Sequence, residues 1–349
     1  MLSVIRFYFK IINYRGKNLI YLFVQFVLYL LSGLYYLILK IIRTYRFGRK
    51  IKIDIPIISV GNIVWGGTGK TPVVIYLVDK IKDYGRKVAI VHHGSKFSDE
   101  AESLKVRLPE VEIFHSISKK EAVLKVGKRK DISAVIIDDG FQNWGIYRDL
   151  DIVVMDCNVP FGNGYLIPRG NLREEPASIA RADLIVINKI TTGENLDQVE
   201  SQIKKYNSWG EIVYCCYEIE KIMAINNNQT LPPSVLSGKK VALITAIAQP
   251  DYFEHIVKNR GVQIVHKFFY PDHYIYTHQD IKNISKELDN RVELFLTTEK
   301  DREKFKRIFS FWEKIISLPL YVVGVNLKVI KNEQALDRRL HFLLDNPRI

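Results

Sequence analysis

The sequence predicts an α/β protein in two successive doubly wound halves, preceded by a membrane-associated helix. Three observations carry this. Short apolar strands alternate with helical stretches along both halves, a glycine-rich turn joins the first strand of the series to its first helix, and an uncharged apolar run of helical length stands ahead of both.

The alternation is clearest in the first half. Ile55–Val60 ("IPIISV") reads as a buried strand, and Thr71 onward ("TPVVIYLVDKIKDYG") as a helix ending near Gly85, with Pro72 tolerated in its first turn. A second strand ends near Val91, and Ser98, Asp99 and Glu100 suit a helix cap and first turn. "VEIFHS", "SAVIIDDGF" and "DLDIVVMD" add three strands, with a basic helix from about Ser118 to Lys130 between the first two. Glycines and prolines from Phe161 to Gly170 interrupt the pattern and suggest a domain joint. A second series of strands follows, with "INNNQTLPPS" (Ile225–Ser234) as a hairpin or linker and an amphipathic helix over Asn332–Leu344.

The turn "GNIVWGGTGKTP" (Gly61–Pro72) holds the Gly-Lys-Thr of a phosphate-binding loop, but Val64 stands where the pattern G-x-x-x-x-G-K-[ST] opens on glycine. What such a site needs is backbone N–H groups converging on phosphate oxygens, a lysine for the terminal phosphates and a hydroxyl for Mg²⁺. Gly66, Gly67, Thr68, Gly69, Lys70 and Thr71 can supply these at a helix N-terminus, where free N–H groups favour an anion. The first half is therefore expected to be a P-loop NTPase-like domain. A glycine-rich turn that binds nothing is the alternative. "VIIDDGFQ" (Val135–Gln142) ends an apolar strand in two aspartates, Asp138 and Asp139, as P-loop enzymes place the carboxylates that hold Mg²⁺. Taken alone it could be an ordinary turn. Asp99 is a candidate to receive a hydroxyl proton, against the simpler role of favouring a helix dipole. His273, in "YPDHYIY", could tune a carboxylate or be structural.

Composition bounds the partners. With 47% hydrophobic and 26% charged residues in 349, the chain is globular and long enough for two domains. The net charge of +13 is uneven, because residues 1–50 hold nine Lys or Arg, from Arg6 to Lys50, and no acid. Leu19–Leu39, broken only by Gln25, Ser32 and Gly33, matches the ~20 residues that cross a bilayer core. Tyr21, Tyr29, Tyr35 and Tyr36 suit a helix partly in the interface. The run is too long for a signal peptide and no small-residue cleavage site follows it; a buried core helix is the remaining rival. Its basic flanks suit a membrane surface with anionic lipids, at about 1 kcal/mol per residue, whereas no nucleic-acid module is recognisable, so no nucleic acid is expected as a partner. Cys157, Cys215 and Cys216 form no C-x-x-C pair and are expected reduced, packed and without metal.

These residues resemble the tetraacyldisaccharide 4'-kinase family, the membrane-bound lipid A kinases. The likeness spans most of the chain: the apolar helix, "SVGNIVWGGTGKTP", "DDGFQ", "RDLDIVVMD", "GNGYLIPRGNLREEP", "RADLIVINK", "YPDHYIY" and "TTEKD". That family also lacks the opening glycine of the loop. The resemblance implies two α/β/α sandwich domains and ATP as co-substrate. By it, Gly66 to Thr71 are nucleotide-binding, with Lys70 and Thr71 touching phosphate and Mg²⁺, and Asp138, Asp139 and Gln142 form the metal neighbourhood. Asp99 becomes the base for the sugar hydroxyl, paired with His273, and Arg173 and Glu174 lie near the nucleotide. Departures gather on the acceptor side, at "HHGSKF" (His92–Phe97) in place of Ser-Arg-Gly-Tyr, at Asn143, and at Lys119 near a usual arginine.

The expected organisation is a membrane-associated segment at 1–47, a nucleotide domain at 48–160, a second α/β domain at 161–330 with a hairpin linker near 221–236, and a C-terminal helix at 331–349 on the first domain. The expected function is ATP-dependent phosphorylation of the 4'-hydroxyl of a lipid A disaccharide precursor, at the inner membrane with the catalytic domains in the cytoplasm. A membrane-tethered NTPase switch and an inactive lipid-binding family member are the alternatives.

Overall fold

The computed structural model describes residues 8, 11–14, 16–94, 99–191, 193–227, 229–272 and 274–346. The chain separates into two compact units. One comprises the described residues up to Cys216 together with those from Val329 onward, and the other comprises Tyr217–Lys328.

In the larger unit seven strands form a wholly parallel sheet. They are β1 (Ile57–Gly61), β2 (Val88–His93), β3 (Glu112–Ser116), β4 (Ala134–Asp138), β5 (Leu150–Asp156), β6 (Leu184–Asn188) and the start of β7 (Glu211–Ala224). Their order is β3-β2-β4-β1-β5-β6-β7. β1, β4 and β5 are buried at every position, so they read as continuous apolar runs, which is what a parallel sheet covered on both faces requires. Because β1 lies between β4 and β5, the direction of winding reverses beside it, and the crevice at its carboxyl end is the ligand position of such sheets.

The predicted helices fall in place. α1 (Leu19–Phe47) is capped by Asn18, whose side chain accepts from the N–H groups of Ile20 and Tyr21. α2 (Lys70–Asp83) follows the glycine turn, α3 (Asp99–Arg107) and α4 (Lys119–Val126) connect the next strands, and α5 (Leu196–Lys204) precedes β7. Phe161–Gly170, expected as a joint, lies inside the larger unit. β6 pairs with β5, and Cys157, Leu172, Ile179 and Ile203 share one buried cluster. Cys157 and Cys215 are buried, and burial is the first cause of thiol pKa values pushed up to about 12, so these are packing groups rather than reactive ones.

The smaller unit carries a parallel array in the order β10 (Gln263–Phe269), β9 (Lys240–Thr245), β11 (Leu294–Thr298), β12 (Leu320–Lys331). β8 (Thr230–Leu231) pairs antiparallel with the end of β7, which makes the polar stretch around it a hairpin. α6 (Pro250–Lys258), α7 (His278–Glu287), α8 (Glu299–Lys306) and α9 (Phe309–Ile315) flank the strands. Phe295, Phe305 and Trp312 anchor the core.

Past β12 the chain forms α10 (Glu333–Asp345), which rejoins the larger unit. It buries Ala335, Leu336, Leu340 and Leu344. Lys80 on α2 meets Glu333 at 2.6 Å and Asp337 at 3.1 Å, and the Tyr84 hydroxyl donates to Asp337 at 3.0 Å.

Gly61 ends β1 because nothing larger fits. A Cβ there would stand 2.5 Å from Phe141 Cβ and 2.6 Å from Phe141 N. Gly61→Ala is expected to cost about 1–3 kcal/mol by overpacking, which is about 2–4 °C of thermal midpoint per kcal/mol for a unit of this size. An unchanged midpoint in scanning calorimetry would show that the turn tolerates the methyl group.

Candidate active site

β1 delivers the chain into a turn over residues 62–69 that opens on the N-terminus of α2. Gly66 (φ 137°) and Gly69 (φ 89°) take backbone conformations that side chains rarely allow. Val64 needs no such freedom. It is buried, packs with Leu172 and Phe141, and forms an antiparallel bridge to Leu172, while Trp65 N donates to Asn171 O at 2.6 Å. Here the loop is anchored by a neighbouring strand-like segment in place of a glycine, and this is why the opening position of the pattern is free to be valine.

The turn is braced from three sides. Asn62 Nδ2 donates to Thr68 Oγ1 at 3.0 Å, Asn188 Nδ2 donates to Thr68 O at 3.2 Å, and Lys189 Nζ donates to Gly67 O. Gly66 and Gly67 remain exposed. The first N–H groups of α2 have no partner within their own helix, so they and the positive helix end face the crevice. Lys70 is the first residue of α2 and Thr71, half-buried, the second.

The register of β1 with β4 sets Val60 opposite Asp138 and so brings the aspartates beside this turn. Asp138 is 4% exposed; its Oδ2 lies 3.0 Å from His92 Nδ1, and its Oδ1 is buried with no hydrogen-bond partner among the described residues. Asp139 turns the chain at a positive φ of 53°, and its carboxylate accepts both arms of the Arg173 guanidinium, at 2.7 and 2.9 Å. Lys70 Nζ stands 3.5 Å from the same carboxylate, and Lys119 Nζ donates to Asp139 O at 2.6 Å. Burial alone would raise the Asp139 carboxyl, but Arg173, Lys70 and Lys119 outweigh it and hold it well below the usual range. Burial lowers the Lys119 ammonium, which Asp139 and Asp138 partly offset.

Among the described residues, four cations, Lys70, Lys119, Arg173 and Lys189, therefore surround three carboxylates, Asp138, Asp139 and Asp156, the last paired with Lys189 at 3.0 Å. A surplus cation beside a helix N-terminus is a cradle for an anion.

The remaining expected residues divide. Gln142 Nε2 donates to Asn62 O at 2.9 Å and to Glu174 Oε1 at 3.0 Å, while its Oε1 is buried without a partner. Glu174 is 1% exposed and accepts two hydrogen bonds from Arg181, at 3.0 and 2.9 Å; burial raises its carboxyl above the ordinary value. It braces Gln142 and Arg181 instead of facing the crevice. Asp99 opens α3, with its side chain outside the described residues, as are Ser98 and His273. Among the described residues no three His, Cys, Asp or Glu side chains gather as a metal cage.

Asn62, Asp156, Asn188 and Lys189 carry no signal of their own in the sequence, and His92 stands out there only as the start of a loop that departs from the family pattern. Each is a polar residue at or just past the carboxyl end of β1, β2, β5 or β6, where an open parallel sheet places its ligands. That position was the available signal.

Fold and site together define a P-loop protein of the phosphoryl-transfer class. The comparisons with known proteins agree. The family model for tetraacyldisaccharide-1-P 4'-kinase matches residues 24–344. The tetraacyldisaccharide 4'-kinase of Bdellovibrio bacteriovorus is 30% identical over 281 residues, covering 74% of this chain and 82% of that one. That of Halothermothrix orenii is 30% identical over 346 residues, covering 88% and 89%. The crystal structure of "apo" form LpxK from Aquifex aeolicus in complex with ATP superposes with a TM-score of 0.66 at 25% identity, over 92% of this chain and 99% of that one. The chain belongs to the tetraacyldisaccharide-1-P 4'-kinase family and is a kinase.

The depressed Asp139 carboxyl sets a pH dependence. A group whose folded pKa lies below its unfolded value stabilises the fold above the ordinary carboxylate range, and this is lost on acidification. The stability gap between wild type and Asp139→Asn is therefore expected to be widest near neutrality and to shrink once the pH falls below about 4. Thermal midpoints measured at several pH values check this; a gap that does not narrow in acid would remove the pairing from the stability of the site.

Proposed function

We propose that the protein transfers the γ-phosphoryl group of ATP to the 4'-hydroxyl of a tetraacylated disaccharide 1-phosphate, the lipid A precursor, at the cytoplasmic face of the inner membrane. The observation that carries this is the presence, in one unit, of a phosphate cradle and an apolar helix turned outward. ATP as donor is supported by the Aquifex relative, which was solved with it.

The chain's own groups divide the work. Gly66, Gly67, Thr68 and Gly69 shape a loop whose N–H groups bind phosphate oxygens, and Lys70 neutralises the terminal ones. Arg173 fixes Asp139, whose carboxylate lies 3.5 Å from Lys70 Nζ. The buried, unpartnered Oδ1 of Asp138 fits Mg²⁺, since this ion needs few protein ligands when phosphates and waters complete its shell. Asp138 and Thr71 would hold it, with Gln142 assigned to the same neighbourhood by the family resemblance and Asp139 committed to Arg173. Held there, the ion would supply neutralisation of the charge that develops on the phosphates. Asp99 takes the proton of the 4'-hydroxyl as that oxygen bonds to γ-phosphorus and the bond to ADP breaks, and His273 orients it. These two roles rest on the family resemblance. His92 keeps the other oxygen of Asp138 engaged and so aims the free one.

The membrane role rests on α1, which among the described residues is the one helix long and apolar enough to cross a bilayer. Its buried positions are polar: Gln25 Nε2 donates to Ile11 O at 2.7 Å and Tyr14 O at 2.9 Å, and Ser32 Oγ donates to Leu166 O at 2.8 Å. Its apolar side chains face out, with Leu19 80% and Ile41 70% exposed. This reverses the amphipathicity of a helix packed on a core. From Gln25 to Arg43 the polar seam runs about 27 Å along the larger unit, at 1.5 Å per residue. A helix so held lies in the membrane plane with its apolar face in lipid.

Two outcomes test the reading. Purified protein with MgATP and the disaccharide 1-phosphate lipid should yield a product one phosphate heavier by mass spectrometry, and Lys70→Ala should abolish it. Full-rate ATP hydrolysis without lipid and no phosphorylated lipid would instead favour a nucleotide switch. In vesicle flotation, Phe23→Glu with Phe26→Glu should lower affinity for anionic vesicles about tenfold or more, since burying one such side chain is worth about 1.5–3 kcal/mol. Equal flotation of this variant would sink the in-plane placement.

A further inference from the structure

The segment 171–175 is gripped from two sides. On its inner side it is stitched to the phosphate loop: Val64 bridges Leu172, Trp65 N donates to Asn171 O at 2.6 Å, and Arg173 N donates to Ile63 O at 2.7 Å. The Arg173 guanidinium then reaches Asp139 and, at 3.0 Å, Asn62 Oδ1. On its outer side the same segment is stitched to α1. The Tyr35 hydroxyl donates to Arg173 O at 3.0 Å, and Arg43 Nη1 donates to Glu175 Oε1 at 2.7 Å while lying 3.9 Å from Glu174 Oε2. Ser32 Oγ accepts from Arg169 N at 2.9 Å just upstream. The N–H of Arg173 is held by the loop and its C=O by the lipid-facing helix. Both bonds fall on one residue, so no slack chain lies between them.

We propose that Tyr35 and Arg43 are positioning residues for phosphoryl transfer, acting through the 171–175 segment to hold Arg173, and with it Asp139 and the phosphate loop, in register with the membrane-seated helix. This rests on the kinase reading above. Neither residue touches a reactant. Both bond a segment whose other edge carries the cation fork of the cradle, and a displacement of about 1 Å in such a support costs on the order of a hundredfold in rate. Tyr35 falls inside the apolar run of α1, where a phenylalanine would serve lipid contact equally well. Its hydroxyl is spent on Arg173 O. Arg43 stands among basic residues suited to headgroups, yet its charge is spent on Glu175.

The test uses the full chain in vesicles containing the disaccharide 1-phosphate lipid, with MgATP. Tyr35→Phe and Arg43→Gln should each lower kcat about tenfold, an order of magnitude short of a full 1 Å displacement. KM for the lipid, vesicle flotation and the stoichiometry of ATP binding should stay at wild-type values. A merely structural role would lower binding stoichiometry and rate together. Arg43→Lys, which keeps a donor to Glu175, should recover part of the rate. Independently of turnover, amide hydrogen exchange at Arg173 should accelerate in Tyr35→Phe. Wild-type kcat in both variants, or unchanged exchange at Arg173, overturns the proposal. If the wild-type protein phosphorylates no lipid, the kinase reading fails, and the exchange measurement still decides whether Tyr35 holds Arg173.

Discussion

The bidentate pairing of Arg173 with Asp139 is the interaction on which the site depends. Asp139 sits where β4 ends and holds a positive φ, so its carboxylate position is set by the sheet. Arg173 arrives from a loop with no place in that sheet, and its fork joins the two. A guanidinium suits the task because its planar donors match both carboxylate oxygens, which an ammonium cannot do. Lys70 and Lys119 then gather around the same aspartate, and the accumulated positive charge suits the crevice to an anion.

Much of this was legible in the sequence. The buried strands announced themselves as unbroken apolar runs, and Gly66 and Gly69 marked a turn that few other residues can make. Asp138 and Asp139 could be placed at a strand end from "VIIDDG" alone. Val64 looked like a defect in the pattern only because its partner, Leu172, lies more than a hundred residues away, and long-range pairing leaves no local trace. Glu174 shows the converse. Its neighbourhood suggested contact with nucleotide, but the side chain turns inward to Arg181 and Gln142, an orientation that spacing cannot reveal.

The extent of the nucleotide-bearing unit was also hidden. Glycines and prolines at Phe161–Gly170 looked like a joint, whereas they serve as the surface on which α1 is seated and from which Arg173 is presented. In α1 itself Gln25 and Ser32 read as flaws in an apolar stretch. They are the points at which the helix is fastened, and the leucines and phenylalanines between them are the side left exposed. Hydropathy counts the flaws but cannot tell which way they point.

The larger unit is closed by α10, a helix made by the ribosome only after all of Tyr217–Lys328 has been synthesised, whereas α1 is made before any strand of the sheet. Domains fold as units during synthesis. The growing chain therefore exposes its greasiest helix long before the clasp on α2 exists to complete the unit. An apolar surface within reach during translation, a bilayer included, would shelter that helix while the rest of its unit is still being made.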